Sequence, residues 1–181
     1  MHYERLSIPD VVLMTPKVFG DERGFFMESF NQRVFEEITN IQIQFVQDNH
    51  SRSRQGVLRG LHYQLTQPQG KLVRVTRGEV FDVALDIRRN SPTFGQWAGA
   101  FLSEKNRQML WVPPGFAHGF LVTSEEADLQ YKCTDYYAPD DEHCIRWDDP
   151  SVAIDWPAFG QRPVLSSKDE QGLSLNAAPH Y

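Results

Sequence analysis

The segment Val80-Phe81-Asp82-Val83-Ala84-Leu85-Asp86-Ile87 sets Phe81, Val83, Leu85 and Ile87 in strict alternation with Val80, Asp82, Ala84 and Asp86. Successive side chains of a strand point to opposite faces, so this spacing predicts a strand with two unlike faces. Arg77-Gly78, just before it, reads as a hairpin turn. Working outward, further short β-like runs bounded by turn residues fall at 11–14, 25–30, 45–48, 57–63, 72–76, 97–102, 108–112, 119–122 and 129–134, and the central run extends over 80–88. So many short strands point to a sandwich or a barrel. Helical patterns are few. Asn31 can cap a short helix running through Ile38, and Ser167 followed three residues later by Glu170 reads as a capping box for a brief terminal helix. The fold class is mainly β.

The chain has 181 residues. One domain over 1–181 is expected, since a chain of that size buries roughly 70% of its unfolded surface. No apolar run approaches the roughly 18 residues of a membrane helix. Glu4, Arg5 and Asp10 stand where a signal peptide would be apolar. A cytoplasmic protein without a membrane partner is expected. Cys133 and Cys144 are the only cysteines and form no CxxC, so both are read as packing residues. The net charge of −6 argues against nucleic acid, whose binding rests on cationic contacts to phosphate. Eight of the 18 Lys and Arg residues nevertheless fall between Arg52 and Arg89. They form either a solvated face or a local field for a small anionic ligand.

Val112-Pro113-Pro114-Gly115-Phe116-Ala117-His118-Gly119-Phe120 joins a strand end, a tight turn and a His opening the next strand. It resembles the second cupin motif, PxGxxH, which implies a jelly-roll β-barrel. In metal-binding cupins the first motif carries HxH, but here Gly60-Leu61-His62-Tyr63-Gln64 has Gln64 in place of the second His. Two imidazoles make a poor metal site. No metal and no cofactor are expected, which leaves His62 and His118 for proton transfer or hydrogen bonding, or as satisfied core residues.

The string Leu58-Arg59-Gly60-Leu61-His62-Tyr63-Gln64 resembles the LRGLHYQ signature of the dTDP-4-dehydrorhamnose 3,5-epimerases. Further matches follow in order, among them Gly24-Phe25-Phe26, Gln47-Asp48-Asn49-His50-Ser51, Gly70-Lys71-Leu72-Val73-Arg74, Ser91-Pro92-Thr93-Phe94-Gly95 and Ser167-Lys168-Asp169. The resemblance implies a substrate with a keto group at carbon 4 of the sugar, which acidifies the protons on carbons 3 and 5. It implies His62 as base, Asp169 as its orienting carboxylate, Lys71 as stabiliser of the enolate oxygen and Tyr131 as acid. Each has a plainer reading too: Asp169 suits the first turn of a helix, and Tyr131 suits a core position beside Leu129 and Cys133.

The resemblance further assigns Arg23 and Arg59 to the diphosphate and Tyr137 to the thymine ring, with Phe26, Glu28, Gln47, Asp48, Asn49, His118, Glu142 and Lys168 around the substrate. It implies a homodimer whose segment around Arg23 and Glu28 enters the neighbouring subunit. Strict alternation would separate Arg59 from His62, so a bulge at Gly60 is expected. Against the 3,5-epimerase stand a sibling acting on one carbon or shifting the ketone, a metal-dependent cupin, and a non-catalytic carbohydrate-binding module. A binding module has no use for a base, a lysine and an acid around one carbon.

Overall fold

Residues 1–181 are described by a computed structural model. The strands are β1 (His2–Arg5), β2 (Val12–Thr15), β3 (Val18–Asp21), β4 (Gly24–Met27), β5 (Gln47–Arg54), β6 (Leu58–Gln64), β7 (Lys71–Arg77), β8 (Glu79–Asp86), β9 (Trp97–Ser103), β10 (Met109–Val112), β11 (Phe116–Val122), β12 (Glu126–Cys133) and β13 (Glu142–Cys144). Two short helices, α1 (Gln32–Thr39) and α2 (Ser167–Glu170), complete the elements along with one turn of 3-10 helix. One sheet runs β1-β2-β10-β7-β12-β5 and a second β13-β6-β11-β8-β9. β3 and β4 pair only with each other. No helix is long and apolar enough to cross a membrane.

The two large sheets face each other across a core that includes Val73, Val75 and Leu129 from the first and Val80, Ala84, Phe120 and Val122 from the second. This is the expected cupin-type barrel. The alternation in β8 is realised with both faces buried: Val80 and Ala84 enter the core between the sheets. Phe81, Val83, Leu85 and Ile87 pack outward with Leu61, Tyr63 and the later segment bearing Val152, Leu175 and Ala178. Asp82 and Asp86 are fully buried on the inner register. Asp86 is satisfied by the Arg88 guanidinium and the hydroxyls of Ser91 and Thr93.

Arg77-Gly78 is not a hairpin turn. β7 pairs with β10 and β12, whereas β8 pairs with β11 and β9, so the turn carries the chain from one sheet to the other. Gly78 has φ +72°, which glycine adopts without penalty in either kind of turn. The turn residue therefore does not decide which strand becomes the neighbour.

Asn31 caps α1, its side chain accepting from Arg33 N and Val34 N, and Asn40 ends the helix in the left-handed conformation. Phe35 and Ile38 of α1 cover Val12, Met14, Leu72 and Trp111 on the outer face of the six-stranded sheet. The capping box of α2 lies one residue before its expected place. Ser166 is the cap and Asp169 its partner, not Ser167 and Glu170. Run 45–48 proves to be the start of β5, whose polar sequence continues to Arg54 and pairs throughout with β12.

The bulge in β6 is present. His118 pairs with His62 but Phe120 pairs with Arg59, so three steps along β6 oppose two along β11. Gly60 has φ +121°, and a Cβ there would lie 2.5 Å from Gly119 Cα and 2.6 Å from His118 O. The extra residue puts Arg59, His62 and Gln64 on the cavity while Leu61 packs outward. Gly60→Ala is expected to cost about 2–5 kcal/mol, from a disfavoured φ together with backbone overlap. Urea unfolding measures it, and a loss below about 0.5 kcal/mol, the ordinary surface value, would show that β11 yields freely.

Candidate active site

The barrel holds a cavity of about 400 Å³ whose walls come from six strands, the loop bearing Tyr137 and the segment around α2. β6 contributes Arg59, His62 and Gln64, β7 contributes Lys71, β11 contributes His118, and β12 contributes Tyr131. β5 presents Gln47, Asn49 and Ser51 at every second position. Tyr137, Glu142, Ser166, Lys168 and Asp169 close the rim and one wall.

His62 Nε2 lies 2.8 Å from Asp169 Oδ1, and Nδ1 lies 3.9 Å from Glu142 Oε1. The Nε2 contact has hydrogen-bond distance but falls off the direction of the ring N–H, so it acts chiefly as a pairing of charge with dipole. Asp169 also accepts from Gly60 N at 3.0 Å, Ser166 N at 3.1 Å and Ser166 Oγ at 2.5 Å. Burial alone would raise its pKa, but the close approach of His62 and the donations from Ser166 and Gly60 outweigh burial and hold the carboxyl well below the usual range.

Lys71 is buried at 7% exposure and forms no hydrogen bond or ion pair with another side chain. Burial lowers its pKa, opposed by Cys133, Glu142 and Asp82. A buried ammonium without a partner is costly, and a developing anion in the cavity would relieve that cost. The Tyr131 phenol is pushed up to about 12, first by burial and then by Cys133 and Glu142, so it holds its proton at neutral pH. Its ring sits 6.4 Å from that of His118. His118 Nε2 lies 2.9 and 3.0 Å from the two oxygens of Asp82. With that carboxylate as acceptor, Nε2 carries the hydrogen and Nδ1 is left free for a ligand.

Gln64 is occupied structurally, donating to Gln67 O and Tyr136 O and accepting from Ala138 N. The position where metal-binding cupins carry a His is thus spent on holding a loop. Glu142 accepts from Tyr137 Oη at 2.6 Å and from Lys168 Nζ, while Arg59 Nε donates to Ser53 Oγ at 3.0 Å. Burial would raise the Glu142 pKa, yet the Lys168 and Tyr137 donors bring it below its ordinary value.

Four residues named from the sequence lie outside this cavity. Asp48 points to the other face of β5 and pairs with Lys132 at 3.0 Å. Arg23 is 89% exposed and paired with Asp21, Phe26 is 71% exposed, and Glu28 accepts from Asn31. Arg23 and Phe26 belong to the detached β3–β4 pair, and Glu28 follows it directly. Sequence reasoning missed Ser51, Gln69, Ser166 and the Asp82 beneath His118. Asp82 alone had left a signal, as an acid inside an apolar alternation.

A cavity with proton-bearing groups on different walls and a buried lysine that has no side-chain partner suits the movement of protons on a bound anion. The barrel is of the cupin type and carries a polar cavity lined by ionisable groups. A family model described as dTDP-4-dehydrorhamnose 3,5-epimerase matches residues 5–177. The dTDP-4-dehydrorhamnose 3,5-epimerase of Pseudomonas aeruginosa is 62% identical over 175 residues, covering 97% of this chain and 96% of that protein. The crystal structure of dTDP-6-deoxy-D-glucose-3,5-epimerase from Legionella pneumophila in complex with dTDP-4-keto-L-rhamnose superposes with TM-score 0.96 at 54% identity, covering 98% of this chain and 94% of that one. A 3'-monoepimerase from Streptomyces bikiniensis in complex with dTDP-quinovose gives TM-score 0.89 at 33% identity, covering 97% and 88%. The chain belongs to the dTDP-4-dehydrorhamnose 3,5-epimerase family and is an isomerase.

Asp169 generates a pH prediction. Its native pKa is lowered, so its stabilisation is complete above the unfolded value of about 3.9 and is lost as pH falls below that toward the native value. Denaturant unfolding of the native chain and Asp169→Asn should show a stability gap at pH 7 that narrows at pH 3. An equal gap at both pH values would mean that the carboxylate charge contributes nothing.

Proposed function

We propose that this chain epimerises carbons 3 and 5 of dTDP-4-dehydro-6-deoxy-D-glucose to dTDP-4-dehydro-L-rhamnose, a step of dTDP-L-rhamnose biosynthesis, acting in the cytoplasm. The whole chain, residues 1–181, serves as one catalytic domain. The observation that carries the reading is His62 set against Asp169 on one wall, with Lys71 and Tyr131 in the same cavity. His62 takes the proton next to the ketone, with Nδ1 as the accepting nitrogen because Nε2 faces Asp169. Lys71 stabilises the enolate oxygen, and Tyr131 returns a proton to the opposite face. Arg59 holds phosphate oxygens, Tyr137 stacks on thymine at the exposed rim, and Gln47, Asn49, His118, Glu142 and Lys168 position the rest. The mechanism assigns no step to a metal or cofactor, and neither nucleic acid nor a membrane has a part in it.

A homodimer completes this site. Arg23, Phe26 and Glu28 lie on or beside a two-stranded pair that joins neither large sheet and leaves Phe25 and Phe26 exposed. In the dimer this segment enters the cavity of the partner. Sedimentation at assay concentration should find a dimer, and Arg23→Ala should raise KM while leaving each barrel folded. A fully active monomer would overturn the shared site.

Two substitutions separate the proposed roles. His62→Asn should lower both solvent deuterium exchange and epimerisation by about 10²–10⁴. Tyr131→Phe keeps the base and Lys71, so deuterium should still enter the substrate while inversion falls. Equal loss of exchange and inversion in a folded Tyr131→Phe would remove the acid from its place. The similarity to a 3'-monoepimerase supports a second reading with one inverted carbon. Counting the labelled carbons of native product in deuterated water decides between them.

A further inference from the structure

Cys144 is a free thiol beside the cavity that the proposed chemistry leaves unused. It pairs with His62 across β13 and β6. Its Sγ, a ring nitrogen of His62 and a carboxylate oxygen of Asp169 all lie within 4.8 Å of one another. The His62 nitrogen against Asp169 is Nε2, which is buried and has no aligned hydrogen-bond partner. The thiol makes only a weak contact with Ile145 O at 3.6 Å. An imidazole nitrogen, a sulfur and a carboxylate oxygen form a donor set suited to zinc-like cations, and small movements would bring them to tetrahedral ligand spacing.

The charges favour a cation as well. Asp169 and Glu142 set two carboxylates around His62, the strand neighbour of Cys144. The two carboxylates that disfavour a bare thiolate would attract a divalent ion, which then replaces the thiol proton.

The geometry points to an inhibitory site for a thiophilic divalent cation, Zn²⁺ by chemical class, held by His62 Nε2, Cys144 Sγ and Asp169 behind the catalytic ring. Binding forms one bond from each ligand to the metal and releases the thiol proton to solvent. Coordination uses the Nε2 lone pair, so the single hydrogen of the neutral imidazole moves to Nδ1. Nδ1 can then no longer accept a proton from the sugar. The ion lies behind the ring and leaves the cavity open, so kcat falls while KM stays unchanged. The inhibitory part rests on the reading of His62 as the base.

Full-length protein titrated with Co²⁺ as optical probe should develop a near-ultraviolet thiolate-to-cobalt band and release one proton per ion. Zn²⁺ should lower kcat by about 10² or more at unchanged KM, and a chelator should reverse the loss. Cys144→Ser should keep basal activity, lose the sulfur band and need at least about tenfold more Zn²⁺ for inhibition. Absence of the band in the native protein, which depends on no variant, would overturn the site, as would competition between Zn²⁺ and substrate. A sulfur band with unchanged activity would leave the site standing and remove His62 from the role of base.

Discussion

The carboxylate of Asp169 joins the fold to the chemistry. One oxygen receives Gly60 N and faces His62 Nε2, and the other receives both polar groups of Ser166. The same group therefore satisfies the backbone at the bulge of β6, closes the cap of α2 and orients the imidazole. Each of these donors, if left buried and unpaired, would cost about 1–3 kcal/mol. Since Asp169 lies more than a hundred residues beyond Gly60, this wall of the cavity exists only once the segment around α2 has docked on the second sheet. Leu173 strengthens that docking through backbone bonds with Cys144 and Arg146.

The barrel divides each strand into an apolar and a chemical part. β7 offers Val73 and Val75 to the core and Lys71 to the cavity, and β12 does the same with Leu129 and Tyr131. Cys133 stands opposite Lys71 in the pairing of these strands and Tyr131 opposite Val73, which makes Lys71 and Tyr131 diagonal neighbours across the two strands. Packing thus fixes their backbones while their polar ends remain unspent. Lys71 without a partner and Tyr131 without a hydrogen bond would be liabilities in a protein that only had to fold. They fit a site whose partner arrives with the ligand.

Much of this was legible in the sequence, because period-two alternation survives wherever a strand separates two environments. β8 was readable even though both its faces are buried, since its alternating residues differ in size and polarity. The polar strand β5 was legible only at its start, because Gln-Asp-Asn-His-Ser-Arg-Ser-Arg has no apolar face, and Ser51, though part of a matching segment, was therefore not placed in the site. Arg77-Gly78 was misplaced because a positive φ serves a hairpin and a sheet crossing equally well. The cap of α2 slipped by one because Ser166 and Ser167 are adjacent and Asp169 and Glu170 are both acidic. The bulge at Gly60 could be anticipated because two polar residues three apart were both wanted on one face.

The detached β3–β4 pair follows a different logic from the barrel. Arg107 lies over the Phe25 ring at 4.3 Å and Lys17 over Phe19 at 4.9 Å, so cations cover part of two exposed rings. Phe26 has no such cover. A pair of strands is marginal alone in water, and this one gains no ladder from either sheet. Its sequence is nonetheless rich in the residue types that bind at interfaces, aromatic rings and an arginine. Selection for a stable monomer would have shortened such a segment or made it polar. Its retention follows if the surface that stabilises it belongs to a second barrel, and the proposed shared cavity would give that second barrel a further guanidinium and ring beside its own Arg59 and Tyr137.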